Sequence, residues 1–241
     1  MSRFSKGVGR AVSSFALAAV LGSIAPPGIG WADTTIVFQQ DFANTPKGAW
    51  YPPPQYLMRG PLWIEHTIQT DGTNGPVLTT AGLFQGERVV FPPSIDGTQT
   101  NLRYDVDFQR IVALVDTAMM WHVNVDPVSH AQRFYQAAVL HGAEPGAASS
   151  WRIQLIEEQP GVGRGFTVET LANVEGPTVS PEAWHHMQVR AEGSDHDNFV
   201  VSLDGADVVS AQDSTLRSGR VGLRVGLDST LWDNVSVGYD P

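Results

Sequence analysis

Along most of the chain apolar and polar residues alternate one by one, in short runs closed by Gly, Pro, Asn or Asp. A period of two puts successive side chains on opposite faces of a strand, and the 3.6-residue spacing of a helix is hard to find here. The runs predict strands over 36–40, 88–91, 102–110, 118–124, 134–141, 151–157, 166–171, 184–192, 199–203, 220–227 and 232–237. Short strands at regular intervals with turn signals between them predict an all-β fold, a two-sheet antiparallel β-sandwich of the jelly-roll kind. Within 198–209 the pair Asp204-Gly205 supplies the positive φ angles of a two-residue turn, which predicts a hairpin. The stretches 46–61, with Pro52-Pro53-Pro54, and 144–150 read as loops, since proline donates no ladder hydrogen bond.

The first residues depart from this pattern. Arg3, Lys6 and Arg10 are followed by a run over 11–24 that is almost wholly apolar or small, and no acid occurs among them. The run is too short to cross a hydrocarbon layer of roughly 30 Å. Gly30 and Ala32 place small residues three and one positions before a cut, so 1–32 is expected to be a signal peptide and 33–241 one mature domain, secreted or periplasmic. With no cysteine there is neither a disulfide nor a lipoprotein anchor, and stability must come from a core. The whole chain carries 15 Lys+Arg against 25 Asp+Glu. Without the three N-terminal cations the balance is 12 against 25, a net charge of −13. Nucleic acid would need a basic stripe, and no run of Lys or Arg exists; neutral glycans, or cations such as calcium, suit this charge better.

The C-terminal third carries an order of motifs. Trp184-His185-His186-Met187-Gln188-Val189 resembles a W-x-x-x-x-V strand, and Phe199 to Gly205 resembles an F-x-V-x-x-D-G hairpin. Ser218-Gly219-Arg220-Val221-Gly222-Leu223 and Trp232-Asp233-Asn234-Val235-Ser236-Val237 resemble S-G-x-V-G-L and F-D-N-V-x-V closing strands, with Trp in place of Phe. Together with Phe38-Gln39-Gln40-Asp41-Phe42 and Trp50, these resemble the concanavalin A-like lectin/glucanase superfamily. The nearest branch is that of laminin G-like jelly rolls and 3-keto-disaccharide hydrolase domains. The resemblance spans 36–238, more closely at the ends than in the middle. It implies the sandwich fold and, at the first and last strands, a structural calcium held by Asp41 and Asp233; the alternative for those two is turn capping. Fold alone gives no activity.

If the alternation in 102–110 buries Leu102, Tyr104, Val106 and Phe108, then Arg103, Asp105, Asp107 and Gln109 share the other face. The same logic sets core Trp121 and Val123 against outward His122 and Asn124, and core Trp151, Ile153 and Leu155 against outward Arg152 and Gln154. Were these strands adjacent and Tyr135 turned outward, Arg103, Asp105, Asp107, His122, Asn124, Tyr135, Arg152 and Gln154 would form one polar floor for sugar hydroxyls. The rival reading is the ordinary solvated face of an antiparallel sheet. Trp121, Trp151, Trp184 and Trp232 fall on core positions, while Trp50 and Trp63, beside Tyr51 and Tyr56 in a proline-rich loop, could stack on pyranose rings.

Glycosidic hydrolysis needs two carboxylates about 5–9 Å apart, and Asp105 and Asp107 stand two apart on one strand, with His122 as a further acid or base. The E-x-D-x-x-E strand of laminarinase-like glycosidases is absent. A jelly-roll polysaccharide lyase would use Arg103, His122, Asn124 and Tyr135, but its R-x-E-x-R and Q-x-H signatures are also absent. His185 and His186 point to opposite faces of a strand, which argues against zinc, and His196 lies in a turn. No phosphate-cradling loop, nucleophile elbow or catalytic thiol is present. The reading that leads is an exported carbohydrate-recognising protein. A glycosidic-bond hydrolase and a non-catalytic structural or adhesive module are the alternatives.

Overall fold

The computed structural model describes residues 34–42, 50–51, 66–70, 76–81, 87–95, 101–112, 116–128, 131–140, 148–158, 166–181, 183–193, 195, 197–226 and 229–241, all within the compact unit Asp33–Pro241. The signal-peptide reading of 1–32, Trp63, Tyr56 and His196 lie outside them. The described residues form fifteen strands and no helix. These are β1 Thr35–Gln40, β2 Trp50–Tyr51, β3 His66–Thr70, β4 Pro76–Ala81, β5 Glu87–Ile95, β6 Leu102–Val112, β7 Asp116–Val125 and β8 Gln132–Leu140. They continue with β9 Ser149–Glu158, β10 Phe166–Gly176, β11 His185–Glu192, β12 Asn198–Leu203, β13 Ala206–Gln212, β14 Gly219–Val225 and β15 Ser229–Tyr239.

All pairings are antiparallel and fall into two sheets. The larger runs β13-β12-β11-β6-β15-β4-β3-β2, with β1 beside the second half of β15, and the smaller runs β10-β9-β8-β7-β14-β5. The fold is therefore the two-sheet sandwich that the alternation implies. Its interior is filled by every second residue of the central strands: Leu102, Tyr104, Val106 and Phe108 from β6, Met187, Val189 and Ala191 from β11, and Trp151, Ile153 and Leu155 from β9. Trp121 and Tyr135 of the smaller sheet meet Phe199 of the larger at ring-centroid distances of 5.2 and 4.6 Å.

The Asp204-Gly205 turn joins β12 to β13, with φ of 50° and 84° at its two central residues, the left-handed geometry that this dipeptide accepts at low cost. Four expectations need correction. β2 lies inside the stretch read as a proline-rich loop, and β9 begins at Ser149, inside the second. β5 continues through Pro92 and Pro93; it is the edge strand of its sheet, so two missing N–H groups leave no neighbour unsatisfied, and the ladder with β14 shifts register at that point. Trp184 is half-buried just before β11 and is not a core residue, whereas Trp121, Trp151 and Trp232 are fully enclosed. β3 and β4 lacked an alternating signature because their apolar residues are few, and in β4 the adjacent Val77 and Leu78 are both buried.

Phe199 stitches the two sheets through contacts that a smaller side chain would abandon. Phe199→Ala is expected to destabilise the protein by about 3–5 kcal/mol, the usual cost of emptying an aromatic core site. Chemical denaturation of the two proteins checks it.

Candidate functional site

Two polar faces point away from the core, one on each sheet. On the larger sheet Arg103, Asp105 and Asp107 of β6 lie beside His186, Gln188 and Arg190 of β11, because the register pairs Asp107 with His186 and Asp105 with Gln188. The His186 ring sits between the two carboxylates, Nδ1 at 2.7 Å from Asp107 Oδ1 and Nε2 at 3.1 Å from Asp105 Oδ1. Hydrogen bonds to Asp105 and then Asp107 outweigh its partial burial and raise its pKa to about 9, so at neutral pH it is an imidazolium donating both N–H groups. Gln188 Nε2 donates to Asp105 Oδ1 at 2.7 Å, Arg103 Nε to Asp105 Oδ2 at 3.2 Å, and Asn234 Nδ2 of β15 to Asp107 Oδ2 at 2.7 Å. Each oxygen of both carboxylates thus accepts at least one hydrogen bond.

The network extends outward through Arg190, which donates to Gln188 Oε1 and, through both oxygens at 3.1 Å, to Asp207 of β13. The Ser202 hydroxyl, and Arg190 after it, hold the Asp207 carboxyl below the usual carboxylate range despite some burial. Chemically this face is a closed set of charges, each already neutralised by a neighbour.

The smaller sheet is arranged in rows. One row runs Arg224, Ala118, Ala138, Arg152, Asn173 from β14 to β10, and the next runs Gly222, Met120, Gln136, Gln154, Thr170. Polar groups link across the strands: Arg224 to the Asp116 carboxylate and to Gln136 Oε1, Gln136 Nε2 to Gln154 Oε1 at 2.8 Å, and Gln154 Nε2 to Thr170 Oγ1 at 3.3 Å. Beside them a third row contains Val123, Phe134, Ile156 and Val168, of which the first three, with Met120, form a small buried apolar cluster. The β7–β8 side of this face is nearly closed to solvent, while Thr170 and Asn173 at the β10 side are exposed. Asp116 is 6 % exposed, yet its Oδ1 has no hydrogen-bond partner. A buried carboxylate oxygen left without a donor is costly.

The single polar floor that the alternation suggested is therefore split. Arg103, Asp105 and Asp107 lie on the larger sheet; Arg152 and Gln154 lie on the outward side of the smaller one, across the whole core. His122 and Tyr135 belong to neither face. A bulge in β7, where the register shifts between Trp121 and Asn124 and His122 adopts φ 50°, turns the imidazole inward and sends Val123 to the opposite side from Trp121. His122 Nδ1 donates to Leu216 O at 2.9 Å, and the Tyr135 hydroxyl donates to Asp213 and accepts from Leu216 N at 3.0 Å. Burial, and next the bond to Asp213, pushes the Tyr135 phenol well up. Asn124 donates to His122 O and Ser218 O. All three anchor 213–219, the link from β13 of the larger sheet to β14 of the smaller. Gly219, with φ 147°, packs its Cα directly on the His122 backbone, where a Cβ would stand 2.5 Å from the His122 carbonyl carbon.

Trp50 pairs with Thr67 in β2 at the far edge of the larger sheet. Asp41 follows β1 and is exposed, and Asp233 Oδ1 accepts the Asn234 N–H at 2.8 Å. Among the described residues no group of three or more His, Asp and Glu side chains is placed to hold a metal ion. Sequence reasoning missed His186, Gln188, Asp116, Gln136 and Arg224. The alternation in 185–190 contained the first two, and a register would have found the rest.

No family model and no curated protein matches the sequence. Solved structures do match. A protein with a galectin-like fold from Bacillus subtilis is 13 % identical, with a TM-score of 0.60 over 86 % of this chain and 97 % of its own. The kappa-carrageenase of Pseudoalteromonas carrageenovora, solved with an oligotetrasaccharide of kappa-carrageenan, is 11 % identical, with a TM-score of 0.53 over 91 % and 100 %. The carbohydrate-binding module CBM66 of Bacillus subtilis is 18 % identical over 67 % and 84 %, with a TM-score of 0.45. At these identities the first two show the fold: this chain is a jelly-roll sandwich of the galectin-like kind.

The His186 clamp has a pH signature. Because its pKa is raised from 6.5 to about 9, its contribution is complete below pH 6.5 and is lost as pH rises through 9. With the ring side chain 38 % exposed, solvent screening leaves about 1 kcal/mol of it. The melting temperature is expected to fall between pH 6.5 and 9.5, and His186→Gln to flatten that part of the profile.

Proposed function

We propose that this is an exported carbohydrate-recognising protein that binds a glycan on the outward face of its six-stranded sheet. The observation that carries the reading is the hydrogen-bonded chain from Asp116 through Arg224, Gln136 and Gln154 to Thr170, which leads from the buried β7–β8 side to the exposed β10 side. Sugar hydroxyls donate and accept at once. Planar amide and carboxylate groups fixed in rows on a sheet, next to an apolar strip, match their spacing and their mixed character. The mutual hydrogen bonds hold these side chains in place before ligand arrives, which lowers the ordering cost of binding. Export rests on the basic and then apolar pattern of 1–32. The fold shared with a carrageenase solved with its oligosaccharide is in keeping with a glycan ligand.

A hydrolase related to 3-keto-disaccharide hydrolase domains would place its acid and base at Asp105 and Asp107. Their oxygens all accept hydrogen bonds from His186, Gln188, Arg103 and Asn234, a network that ties β6, β11 and β15 together, so binding is favoured over turnover.

A glycan array and a reducing-sugar release assay on the protein from Asp33 onward test this. Binding without release is expected. Gln154→Ala, which removes one link of the row, should weaken that binding about tenfold, the worth of one to two hydrogen bonds. Release lost on Asp105→Asn would make the protein an enzyme and overturn the reading. Neither binding nor release would leave a structural or adhesive module.

A further inference from the structure

The net charge of the chain hides an uneven placement of its cations. Arg103, Arg133, Arg190, Arg217 and Arg224 each meet an Asp or Glu carboxylate within 3.3 Å. In a chain with 25 acidic residues against 15 basic ones, that is the ordinary fate of a guanidinium. Arg152 and Arg220 are different. Both are half-buried, both have register positions on the outward face of the six-stranded sheet, and neither has a carboxylate partner among the described residues. Arg152 spends only Nε, on Asn173 Oδ1 at 3.3 Å, which leaves the flat edge of its fork unused.

Carboxylates at this face's register positions are few among the described residues. Asp116 is held by Arg224, and Glu158 and Glu175 stand at its two ends, with Glu158 accepting from the Gln132 N–H. Between Arg224 and Arg152 lie only Ala118 and Ala138, followed along the strands by Gly222, Met120 and Gln136. Arg224 and Arg152 are three strand spacings apart, roughly 14 Å, with the buried Ala118 and Ala138 between them. Arg220 closes the patch four residues before Arg224 on β14. A guanidinium kept from carboxylates in an acidic protein stays available for a fork-like pair with an incoming anion.

We infer that the glycan is an acidic saccharide whose carboxylate or sulfate groups are taken by Arg152 and Arg220. This rests on the reading that the face binds a glycan. It also revises the expectation of a neutral ligand, which followed from the summed charge. A sum governs long-range steering, but at contact distance the nearest few charges dominate, since salt screens the rest within about 10 Å.

Calorimetric titration of the protein from Asp33 onward with four probes tests it: oligogalacturonate, dextran sulfate, methyl-esterified oligogalacturonate and dextran. One of the two acidic probes should bind at least tenfold more tightly than its neutral counterpart, more weakly as salt is added, and which one binds identifies carboxylate or sulfate. Arg152→Gln and Arg220→Gln should each lose about tenfold on that probe, Arg152→Lys should restore part of the loss, and Arg217→Gln, away from this face, should change nothing. Thermal melts of each variant establish that it is folded. Equal binding of neutral and acidic probes, with both arginine variants unaffected, would overturn the acidic ligand and leave glycan recognition standing. Failure of all four probes, together with an empty glycan array, would remove both.

Discussion

Trp121, Tyr135 and Phe199 form the contact on which the molecule depends, because it is where one sheet is pressed against the other. Trp121 and Tyr135 stack at 5.6 Å within the smaller sheet, and the Phe199 ring enters against both from the larger. Without cysteine, burial of such rings must supply the cohesion that disulfides give many exported domains. Once the sheets are closed in this way each has a single outward face, and no side chain can serve both. The chain from β13 to β14 must cross between them, and it is secured by Tyr135, His122 and Asn124 next to that same contact.

The two outward faces solve the same electrostatic problem differently. Around Asp105, Asp107 and His186 every charge is answered by a neighbour on an adjacent strand, so the network binds β6, β11 and β15 together and has little left to offer a ligand. On the smaller sheet the answers are incomplete: among the described residues one buried oxygen of Asp116 has no donor, and Arg152 and Arg220 meet no carboxylate. Proteins seldom bury such deficits without a use for them. The contrast is between a face of mutually satisfied charges and one that mixes polar links with an apolar cluster.

Much of the fold was written in the period of the chain. The alternation over 102–110 placed Leu102, Tyr104, Val106 and Phe108 inside and Arg103, Asp105 and Asp107 outside, and Asp204-Gly205 marked its turn, because these depend on residues within one or two strands. Two-residue β2, the sparse β3 and the prolines of β5 gave no such signal, since their place rests on which neighbour they join. His122 was misread for a related reason: a bulge adds one residue to β7 and reverses inside and outside beyond it, and nothing in the local sequence announces it.

By itself, then, the sequence determined the all-β class, the side of each regular strand that is polar, the absence of thiol chemistry and the acidic balance. Those properties are local or additive. Which polar strands share a face was decided only by the tertiary structure: β6 joins β11 and β15, while β7, β8, β9 and β14 assemble on the other side of the core. Strand pairing is a long-range choice made through backbone hydrogen bonds that every residue but proline offers alike, so side-chain pattern constrains it weakly. For that reason the residue types suited to a sugar were legible, but their division into a satisfied network and an unsatisfied one was not.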